Sequence, residues 1–382
     1  MDVRVIVVMK SIIVDNINFV YIKTNNIYYE IDFIRFFILT NYQHGIRMKV
    51  DIVSGGDYMI QDKVLQEDWI VACRSQDVKE EPVQIILMGE RLAIFRNSRG
   101  IHAFKDLCIH RGAALSLGEV KNDCLVCPYH AWEYNDDGDC VKIPQLPEGR
   151  AIPKKAKAVS YACIEKYGLI WVNLSNNHPE LFAYEEMENT EYRNVIWGPQ
   201  EVQAKPPRII ENFLDVGHLA VVHEGFLGSE THQEILDYRV NKVDNRIFSD
   251  EIPIFQPDPD GSGQPKYVYY TYEVIRPLTV KFTKRDRENN TAMTILLTVR
   301  PVDEQKSVAY GILSFDYETG LADQEIIEFQ DHIFAQDKPV VENQKPEELP
   351  LDLQIELSLV CDRMSIAYRQ YLKELGVVLG TA

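Results

Sequence analysis

Residues 108–132 read CIHRGAALSLGEVKNDCLVCPYHAW, and this is the most informative segment for the fold of the first half of the chain. It holds two pairs of metal-ligand side chains, Cys108 with His110 and Cys127 with His130, and 16 residues separate the pairs. A glycine follows the first pair and a proline lies within the second, and both residue types favour tight turns. The sequence therefore predicts two hairpin-like loops, each of which offers one thiolate and one imidazole.

This mixed pairing favours one kind of metal centre over another. A zinc site with two cysteines and two histidines more often pairs cysteine with cysteine and histidine with histidine. Interleaved pairs suit a [2Fe-2S] cluster in which one iron takes both cysteines and the other takes both histidines, which raises the reduction potential. We therefore predict a Rieske-type cluster on Cys108, His110, Cys127 and His130. A zinc site, or four ordinary core residues, are the alternatives.

The segments around this stretch favour β structure. Short apolar runs separated by turn residues extend from Trp69 to about Leu174, with hairpin-type turns at 97–100 and 136–138. This pattern is typical of a small all-β domain.

Beyond Pro206 helical and strand patterns follow one another. The spacing predicts a helix over 211–225, an amphipathic helix over 321–338 and a last helix over 362–376 that stops at Gly376. Between them we expect long alternating strands at 267–275, 291–302 and 307–317. Strands bracketed by helices predict an α+β second domain.

Residues 212–223, NFLDVGHLAVVH, contain the second candidate metal site. His218 and His223 are about one helical turn apart and can converge on one metal. Asp215 precedes His218 by three residues on the same face of the predicted helix, and Asn212 lies alongside. Two histidines need one further hard ligand to make the facial triad of an oxygen-activating ferrous site. The candidates for this carboxylate are Asp331, Asp337, Asp352 and Asp362. Asp362 is slightly preferred, because it begins an amphipathic helix.

Charge and composition exclude some classes of function. The formal charge is −18, from 40 basic and 58 acidic residues, which disfavours binding to nucleic acid through phosphate neutralisation. It favours cationic or neutral small ligands. Seven cysteines, an odd number, fit a reducing compartment better than a disulfide framework. No Gly-x-Gly-x-x-Gly motif follows a strand pattern, so we expect no nicotinamide or flavin site on this chain.

Residues 1–47 differ in composition from the rest of the chain. They contain ten isoleucines and five asparagines, and Met48 follows at once. Polar residues break every apolar run, so neither a membrane span nor a secretory signal is expected. Our hypothesis is that this segment is an untranslated leader and that the natural start is Met48. The alternative is a real hairpin packed on the domain edge.

Together these residues resemble the catalytic (alpha) subunits of the Rieske non-haem iron oxygenases, from about Trp69 onwards. The family's cluster motif is matched by CIH at 108–110 and CPYH at 127–130. Its iron motif, Asn-x-x-Asp-x-x-His-x4-His, is matched at 212–223. The family's third iron ligand is an aspartate before a helix of Ala-Tyr-Arg type, and CDRMSIAYRQYL places it at Asp362.

Further segments resemble parts of the family. FAQDKPVVENQKP at 334–346 is similar to the family's Asp-x-x-Val-x-x-x-Gln-x-Pro segment. Among subgroups, the chain resembles the short, single-subunit type that includes dicamba and vanillate demethylases. HEGFLG at 223–228 and the residues 362–380 look most like cyanobacterial oxygenases that tailor saxitoxin-like guanidinium alkaloids.

The resemblance implies a fold and two cofactors. It implies an α+β chain with an all-β Rieske [2Fe-2S] domain at 60–175 and a helix-grip (START-like) antiparallel-sheet domain with mononuclear Fe(II) at 200–382. The expected iron ligands are His218, His223 and Asp362. Candidate walls of the substrate site are Phe226, Leu227, Tyr270, Tyr272 and Met293.

The resemblance also implies a reaction and partners. The chain would be the terminal component of a multicomponent monooxygenase that uses O2 and electrons from NAD(P)H, delivered by a ferredoxin and/or a flavin reductase. It would hydroxylate or oxidatively dealkylate a small metabolite, with a guanidinium alkaloid as one candidate. A head-to-tail homotrimer is implied, in which Asp215 bridges a cluster histidine of one subunit to His218 of the next. A Rieske electron carrier and a non-catalytic small-molecule binder are the alternative functions.

Overall fold

The computed structural model describes the backbone of four strands within residues 1–58 and, from Met59 onwards, every residue except 176, 245, 260 and 261. The chain divides into two compact units, Met1–Met59 and Ile60–Ala382. The strands of the first unit are β1 (Ile6–Val8), β2 (Phe19–Thr24), β3 (Ile27–Asp32) and β4 (Asp51–Val53). They form one sheet in the order β3-β2-β1-β4. Met48, the expected natural start, lies outside the described residues.

Two antiparallel sheets make up the β domain that opens the second unit. The strands of the larger sheet are β5 (Ile70–Arg74), β6 (Val83–Leu87), β7 (Glu90–Asn97), β8 (Gly100–Lys105), β13 (Ser160–Lys166) and β14 (Leu169–Asn173). The strands of the smaller sheet are β9 (Glu119–Lys121), β10 (Cys124–Val126), β11 (Glu133–Tyr134) and β12 (Cys140–Lys142). Their orders are β5-β14-β13-β8-β7-β6 and β12-β11-β10-β9, so the small sheet is an excursion between β8 and β13.

A long antiparallel sheet dominates the rest of this unit. Its strands are β15 (Arg193–Val202), β16 (Val240–Val243), β17 (Arg246–Ser249), β18 (Ile252–Gln256), β19 (Lys266–Arg276), β20 (Thr279–Asp286), β21 (Thr291–Pro301) and β22 (Ser307–Phe315). The order is β15-β22-β21-β20-β19-β17-β16, and β18 pairs with β19. The three long strands expected from alternation are confirmed as β19, β21 and β22.

Five α-helices are described. They are α1 (Lys63–Gln66), α2 (Glu185–Glu188), α3 (Pro206–Leu214), α4 (Asp323–Val341) and α5 (Arg363–Leu375). Short 3-10 turns cover Ser75–Asp77, Leu115–Leu117, Gly217–Ala220 and Val360–Asp362. Helix α5 ends as predicted at Gly376, whose φ of 79° is left-handed and suits glycine. None of the described helices is long and apolar enough to cross a membrane.

The helix expected over 211–225 is shorter than predicted. Helix α3 ends at Leu214, because Asp215 adopts an extended conformation and its Oδ1 accepts a hydrogen bond from the backbone N–H of Gly217 at 2.7 Å. Aspartate competes with helix continuation in this way, since its side chain replaces a backbone acceptor. The two histidines that follow therefore lie on a turn after α3, and the shared helical face predicted for Asp215 and His218 is wrong.

Two apolar cores hold these sheets together. One buries Phe95, Phe104 and Leu125 around the loops of the small sheet. The other joins the larger sheet of the β domain to the long sheet, with Trp171 and Tyr310 among its buried members. The predicted α+β architecture, an all-β domain followed by an antiparallel-sheet domain with helices, is confirmed.

Candidate metal centres

The two loops of residues 108–132 are closed in the same way. The backbone N–H of Cys108 donates to the carbonyl of Ala113 at 2.8 Å, and that of Cys127 donates to the carbonyl of Trp132 at 2.9 Å. Each predicted histidine lies between the bonded ends of its loop. The fold therefore presents two similar turns, each with one cysteine and one histidine.

The two histidines of these loops lie side by side. The ring centroids of His110 and His130 are 4.4 Å apart, and His110 also stacks on Trp132 at 4.5 Å. Nδ1 of His110 is buried and has no hydrogen-bond partner in the described part of the chain. Desolvation and the neighbouring His130 and Arg111 lower the pKa of His110, which favours the neutral imidazole that metals bind.

The two cysteines of these loops are buried, and each has hydrogen-bonding groups near its sulfur. The hydroxyl of Tyr134 lies 3.1 Å from Sγ of Cys108. Burial raises the pKa of Cys127, while backbone N–H groups of Tyr129 and His130 that point at its sulfur oppose this. Two neighbouring imidazoles, two buried sulfurs and donors aimed at sulfur are the environment that a Rieske-type cluster requires, so these residues fit that cofactor.

The second candidate centre lies between the turn after α3 and helix α4. Asp337 Oδ1 is 3.1 Å from Nε2 of His223 and 3.4 Å from Nε2 of His218. One ligand atom from each residue lies within 4.8 Å of the others, and His223 is almost fully buried. Two imidazoles and one carboxylate fit a ferrous iron with open coordination positions.

The structure brings Asp337, and not the expected Asp362, to the two histidines. Asp362 does not join the two histidines: its carboxylate accepts hydrogen bonds from the backbone of Leu359 and from Sγ of Cys361, at the start of α5. The other candidates are also engaged elsewhere. Asp331 binds Trp197 and Gln200, and Asp352 accepts from the backbone of Gln354. The signal that identifies Asp337 is the family-like segment at 334–346, in which it is the aspartate.

Asp215 lies on the outer side of His218. Its Oδ2 is 3.4 Å from Nδ1 of His218, an ion-pair distance without the direction of a good hydrogen bond. Burial alone would raise the pKa of Asp215, but the neighbouring His218 and the Gly217 amide outweigh it, so the pKa is lowered. Burial would likewise lower the pKa of His218, and Asp215 outweighs it, so that pKa is raised. The carboxylate is therefore the charged partner of this imidazole.

His223 has a different partner, which sequence reasoning missed. Its Nδ1 lies 2.8 Å from Oε1 of Gln336, the residue before Asp337. Because an amide oxygen only accepts, Nδ1 carries the proton and Nε2 is left free for a metal. Asn212, singled out from the sequence, donates to Oδ1 of Asp337 at 3.4 Å.

A cavity opens on the inner side of these residues. Its walls come from α3, α4 and the long sheet, and its aromatic members are Trp197, Phe213, Tyr270, Tyr272, Phe282 and Phe334. Among its described lining residues Asp337 is the one carboxylate. Leu227, Tyr270 and Tyr272 line it as expected, whereas Phe226 and Met293 do not.

A second depression, which we call the Asp215 groove, lies on the outer side. It is lined by Asn212, Asp215, His218, Glu356 and Asp362, among others. His218 and Asn212 line both the cavity and this groove, so they form the wall between them.

Two protein families match successive parts of the chain. Residues 68–165 match the Rieske [2Fe-2S] domain, and residues 202–377 match the vanillate O-demethylase oxygenase C-terminal domain. The two matches contain the two candidate centres, one in each.

Curated relatives and solved structures agree with these matches. The chain is 31% identical to methylxanthine N1-demethylase NdmA of Pseudomonas putida over 300 residues, which covers 77% of this chain and 82% of the relative. It is 28% identical to methylxanthine N3-demethylase NdmB of the same species, covering 84% of this chain and 92% of the relative. The structure of Pseudomonas putida CBB5 NdmA with caffeine superposes with a TM-score of 0.73 at 28% identity, covering 82% of this chain and 91% of that one. Dicamba monooxygenase bound to dicamba, at 20% identity and a TM-score of 0.68, shares the fold, with 81% of this chain and 97% of that chain covered.

Proposed function

Because this chain belongs to the Rieske non-haem iron oxygenases, as an alpha subunit of the single-subunit type, we propose that it oxidatively N-demethylates a small, neutral and flat substrate. The observation that carries this proposal is the His218, His223 and Asp337 set at the edge of an aromatic cavity. An electron carrier or a passive binder needs no such set, so the two alternative functions are not favoured.

Each cofactor has a set of residues to hold it. His218, His223 and Asp337 would hold the ferrous iron, and the cluster would be held by Cys108, His110, Cys127 and His130. When bound, the iron supplies activation of dioxygen and the cluster supplies single electrons. Other residues of the chain orient the two histidine ligands. Gln336 accepts a hydrogen bond from the ring of His223, and Asp215 forms an ion pair with the ring of His218.

The lining of the cavity supports a neutral substrate. A guanidinium group forms its strongest hydrogen bonds with a carboxylate. The only carboxylate in the described lining of the cavity is Asp337, which we assign to the iron. A guanidinium alkaloid, the substrate candidate expected from the sequence, would therefore have no second carboxylate to pair with in the described lining. Flat aromatic walls suit a flat ring system, because stacking and burial of apolar surface give most of the binding free energy.

N-demethylation is supported by the relatives. NdmA and NdmB are named as methylxanthine demethylases, and solved structures show NdmA with caffeine and an NdmA QL mutant with theobromine. We propose an N-methylated heteroaromatic as the substrate, with hydroxylation of a ring or methyl carbon as the second possibility. Loss of an N-methyl group as an aldehyde starts with oxidation of that methyl carbon, so both outcomes use the same site.

We propose that the working form is a head-to-tail homotrimer. The loops around the cluster expose three apolar side chains, Ile109, Leu117 and Tyr129, which we call the cluster tip; Leu117 is 76% and Tyr129 65% exposed. The segment 355–360, which borders the Asp215 groove, also exposes apolar side chains, and its Leu357 is 91% exposed. Exposed apolar patches of this kind mark protein interfaces.

The charges around these two surfaces are complementary. Residues 149–157, beside the cluster loops, hold Arg150, Lys154, Lys155 and Lys157 and no acid. Residues 347–362 hold five acids and no base, and Glu347, Glu348 and Glu356 among them are ion-paired with bases elsewhere in the chain, which leaves Asp352 and Asp362 to complement the basic segment. Because the two patches are different segments of the chain, a contact between them would be heterologous, and such contacts form a ring when the rotation between subunits closes. In that ring Asp215 would pair with His218 and would accept a hydrogen bond from a cluster histidine of the neighbouring subunit.

Electrons would come from a separate protein. We propose a flavin reductase that oxidises NAD(P)H, with or without a ferredoxin, as the partner.

A turnover assay tests the reaction. Purified protein, a surrogate reductase, NADH and O2 are mixed with N-methylated heteroaromatics and, separately, with guanidinium compounds, and formaldehyde is measured. We expect formaldehyde only from the neutral heteroaromatics, and about three iron atoms per chain. About two irons per chain and no turnover would instead indicate an electron carrier.

A mixing experiment tests the ring. A Cys108→Ser subunit lacks the cluster and a His218→Ala subunit lacks the iron, so neither should turn over alone. Co-assembled, they should partly rescue each other, because the cluster of one lies beside the iron site of the next. Adding Asp215→Asn to the Cys108→Ser subunit should remove the rescue. Rescue that survives the added substitution would contradict the role of Asp215.

A further inference from the structure

A buried glutamine connects the cavity wall to the turn after α3. Gln256, on β18, is fully buried, and its Nε2 donates to the carbonyl oxygen of Leu227 at 3.0 Å and to the hydroxyl oxygen of Tyr270 at 2.9 Å. Its Oε1 has no hydrogen-bond partner among the residues that the structure describes.

These contacts fix which atom donates. A backbone carbonyl can only accept, so the side-chain nitrogen of Gln256, and not its oxygen, must face Leu227. The same nitrogen faces Tyr270, and an amide N–H only donates. The hydroxyl oxygen of Tyr270 is therefore an acceptor here, and its own proton has to go to another group.

The surroundings of Tyr270 indicate where that proton goes. The ring is packed against Tyr272 and Phe282, with centroid distances of 6.0 and 5.1 Å, and it lines the cavity. The described part of the chain gives the hydroxyl no partner besides Gln256. A buried O–H without an acceptor costs free energy, and a ligand that accepts from it removes that cost.

We infer that Tyr270 is a specificity-determining residue that donates its proton to a carbonyl oxygen or an unprotonated ring nitrogen of the substrate. This inference rests on the proposed function and narrows it: the substrate is a flat ring system that carries such an acceptor on the edge facing Tyr270. A site built to donate discriminates strongly against a molecule that cannot accept, because the donor is then left unpaired.

Two probes of matched shape test the inference. 1-Methylquinolin-2-one carries one carbonyl, and 1-methylnaphthalene has a similar shape without an acceptor. Binding of each to the holoenzyme is measured by equilibrium dialysis, for the wild type and for Tyr270→Phe. We expect the substitution to weaken binding of the quinolone by about three- to tenfold and to leave the affinity for the naphthalene unchanged.

Two further variants make the test specific. Tyr368→Phe removes another buried hydroxyl, which donates to the carbonyl of Pro277 at 2.8 Å outside the cavity, and should change neither probe. Gln256→Glu places a hydrogen-bond acceptor beside Tyr270. The hydroxyl of Tyr270 should then donate to this carboxylate, so the variant should bind the quinolone more weakly although the hydroxyl remains. Thermal unfolding of each variant confirms that it folds.

The outcomes separate this inference from the proposed function. Selective weakening of the quinolone in Tyr270→Phe supports both. Equal effects on the two probes, or a wild type that binds the naphthalene and not the quinolone, overturn the role of Tyr270 and leave the apolar cavity intact. A wild type that binds neither probe overturns the neutral, flat substrate and the role of Tyr270 with it.

Discussion

The two candidate centres of this chain are built in opposite ways. The cluster loops take all four ligands from 23 consecutive residues, 108–130, and expose apolar side chains at their tip. The iron site joins His218 and His223 to Asp337, more than 110 residues later in the chain, at the edge of a buried cavity. One site is local and outward-facing, and the other is long-range and inward-facing.

This difference explains where sequence reasoning succeeded. Ligands on two adjacent loops are specified by short spacings, so a motif identifies all of them. A carboxylate that arrives on a separate helix is specified only by how that helix packs. The sequence therefore identified the histidine pair, whereas for the third ligand it offered several aspartates and favoured Asp362, which does not join the two histidines.

The largest expected effect separates Asp337 from Asp362. Asp337→Ala should lose the mononuclear iron and abolish turnover, because it removes one of three ligands, while the cluster absorbance stays. Asp362→Ala is the matched control and should keep about three irons per chain. Iron analysis with visible spectra measures both. Iron loss in Asp362→Ala alone would restore the sequence-based ligand.

Substitution of a cluster ligand should have an equally large effect, but on the cluster alone and not on the iron site. Cys108→Ser or His130→Ala should remove the red-brown absorbance, since each deletes a cluster ligand. The site at His218 lies in the other domain and should still bind one metal, measured with Co(II) as a spectroscopic probe. Full cluster absorbance in either variant would defeat the assignment of these ligands.

Asp215→Asn should have a smaller effect. The amide keeps the shape but loses the charge that pairs with His218, so both metals should stay while turnover falls by about 10- to 100-fold. The measurement is the turnover rate beside iron content and the sedimentation of the oligomer. Unchanged turnover would make Asp215 only a cap for the Gly217 turn.

Gln336→Leu should act on the iron site alone. Losing the acceptor for Nδ1 frees the His223 ring to rotate and to change tautomer, and metal affinity should fall by about tenfold. Co(II) titration of protein that retains its cluster measures this. Gln324→Leu is the control, because Gln324 lies on the same helix outside the cavity and donates to Glu328 at 2.9 Å. Equal losses in both variants would point to general damage of α4.

The smallest effect is expected at Tyr134. Its hydroxyl lies 3.1 Å from Sγ of Cys108 and, with a cluster bound, would donate to that sulfur and favour the reduced state. If one such bond contributes about 1 kcal/mol, Tyr134→Phe should lower the one-electron potential by roughly 40 mV. Protein-film voltammetry would measure the change, and the iron site, which lacks this contact, should keep its Co(II) affinity.

Features that depend on neighbouring residues follow directly from the amino-acid sequence. These are the cluster ligands on their two turns, the three long strands, the stop of α5 at Gly376 and the presence of the His218 and His223 pair. Each is fixed by spacing, alternation or backbone freedom within a few residues, so a linear pattern carries the information.

The remaining features depend on how distant segments of the chain pack against one another in the tertiary structure. It ended α3 at Leu214, because the Asp215 side chain took the amide that a continuing helix would have used. It brought Asp337 rather than Asp362 to the two histidines, because α4 packs beside α3, while the Asp362 carboxylate accepts from the backbone N–H of Leu359 at the start of α5. It also aimed Gln336 at His223 and Gln256 at Tyr270. Such contacts depend on the packing of elements that are distant in the chain, so the spacing of residues within one segment does not predict them.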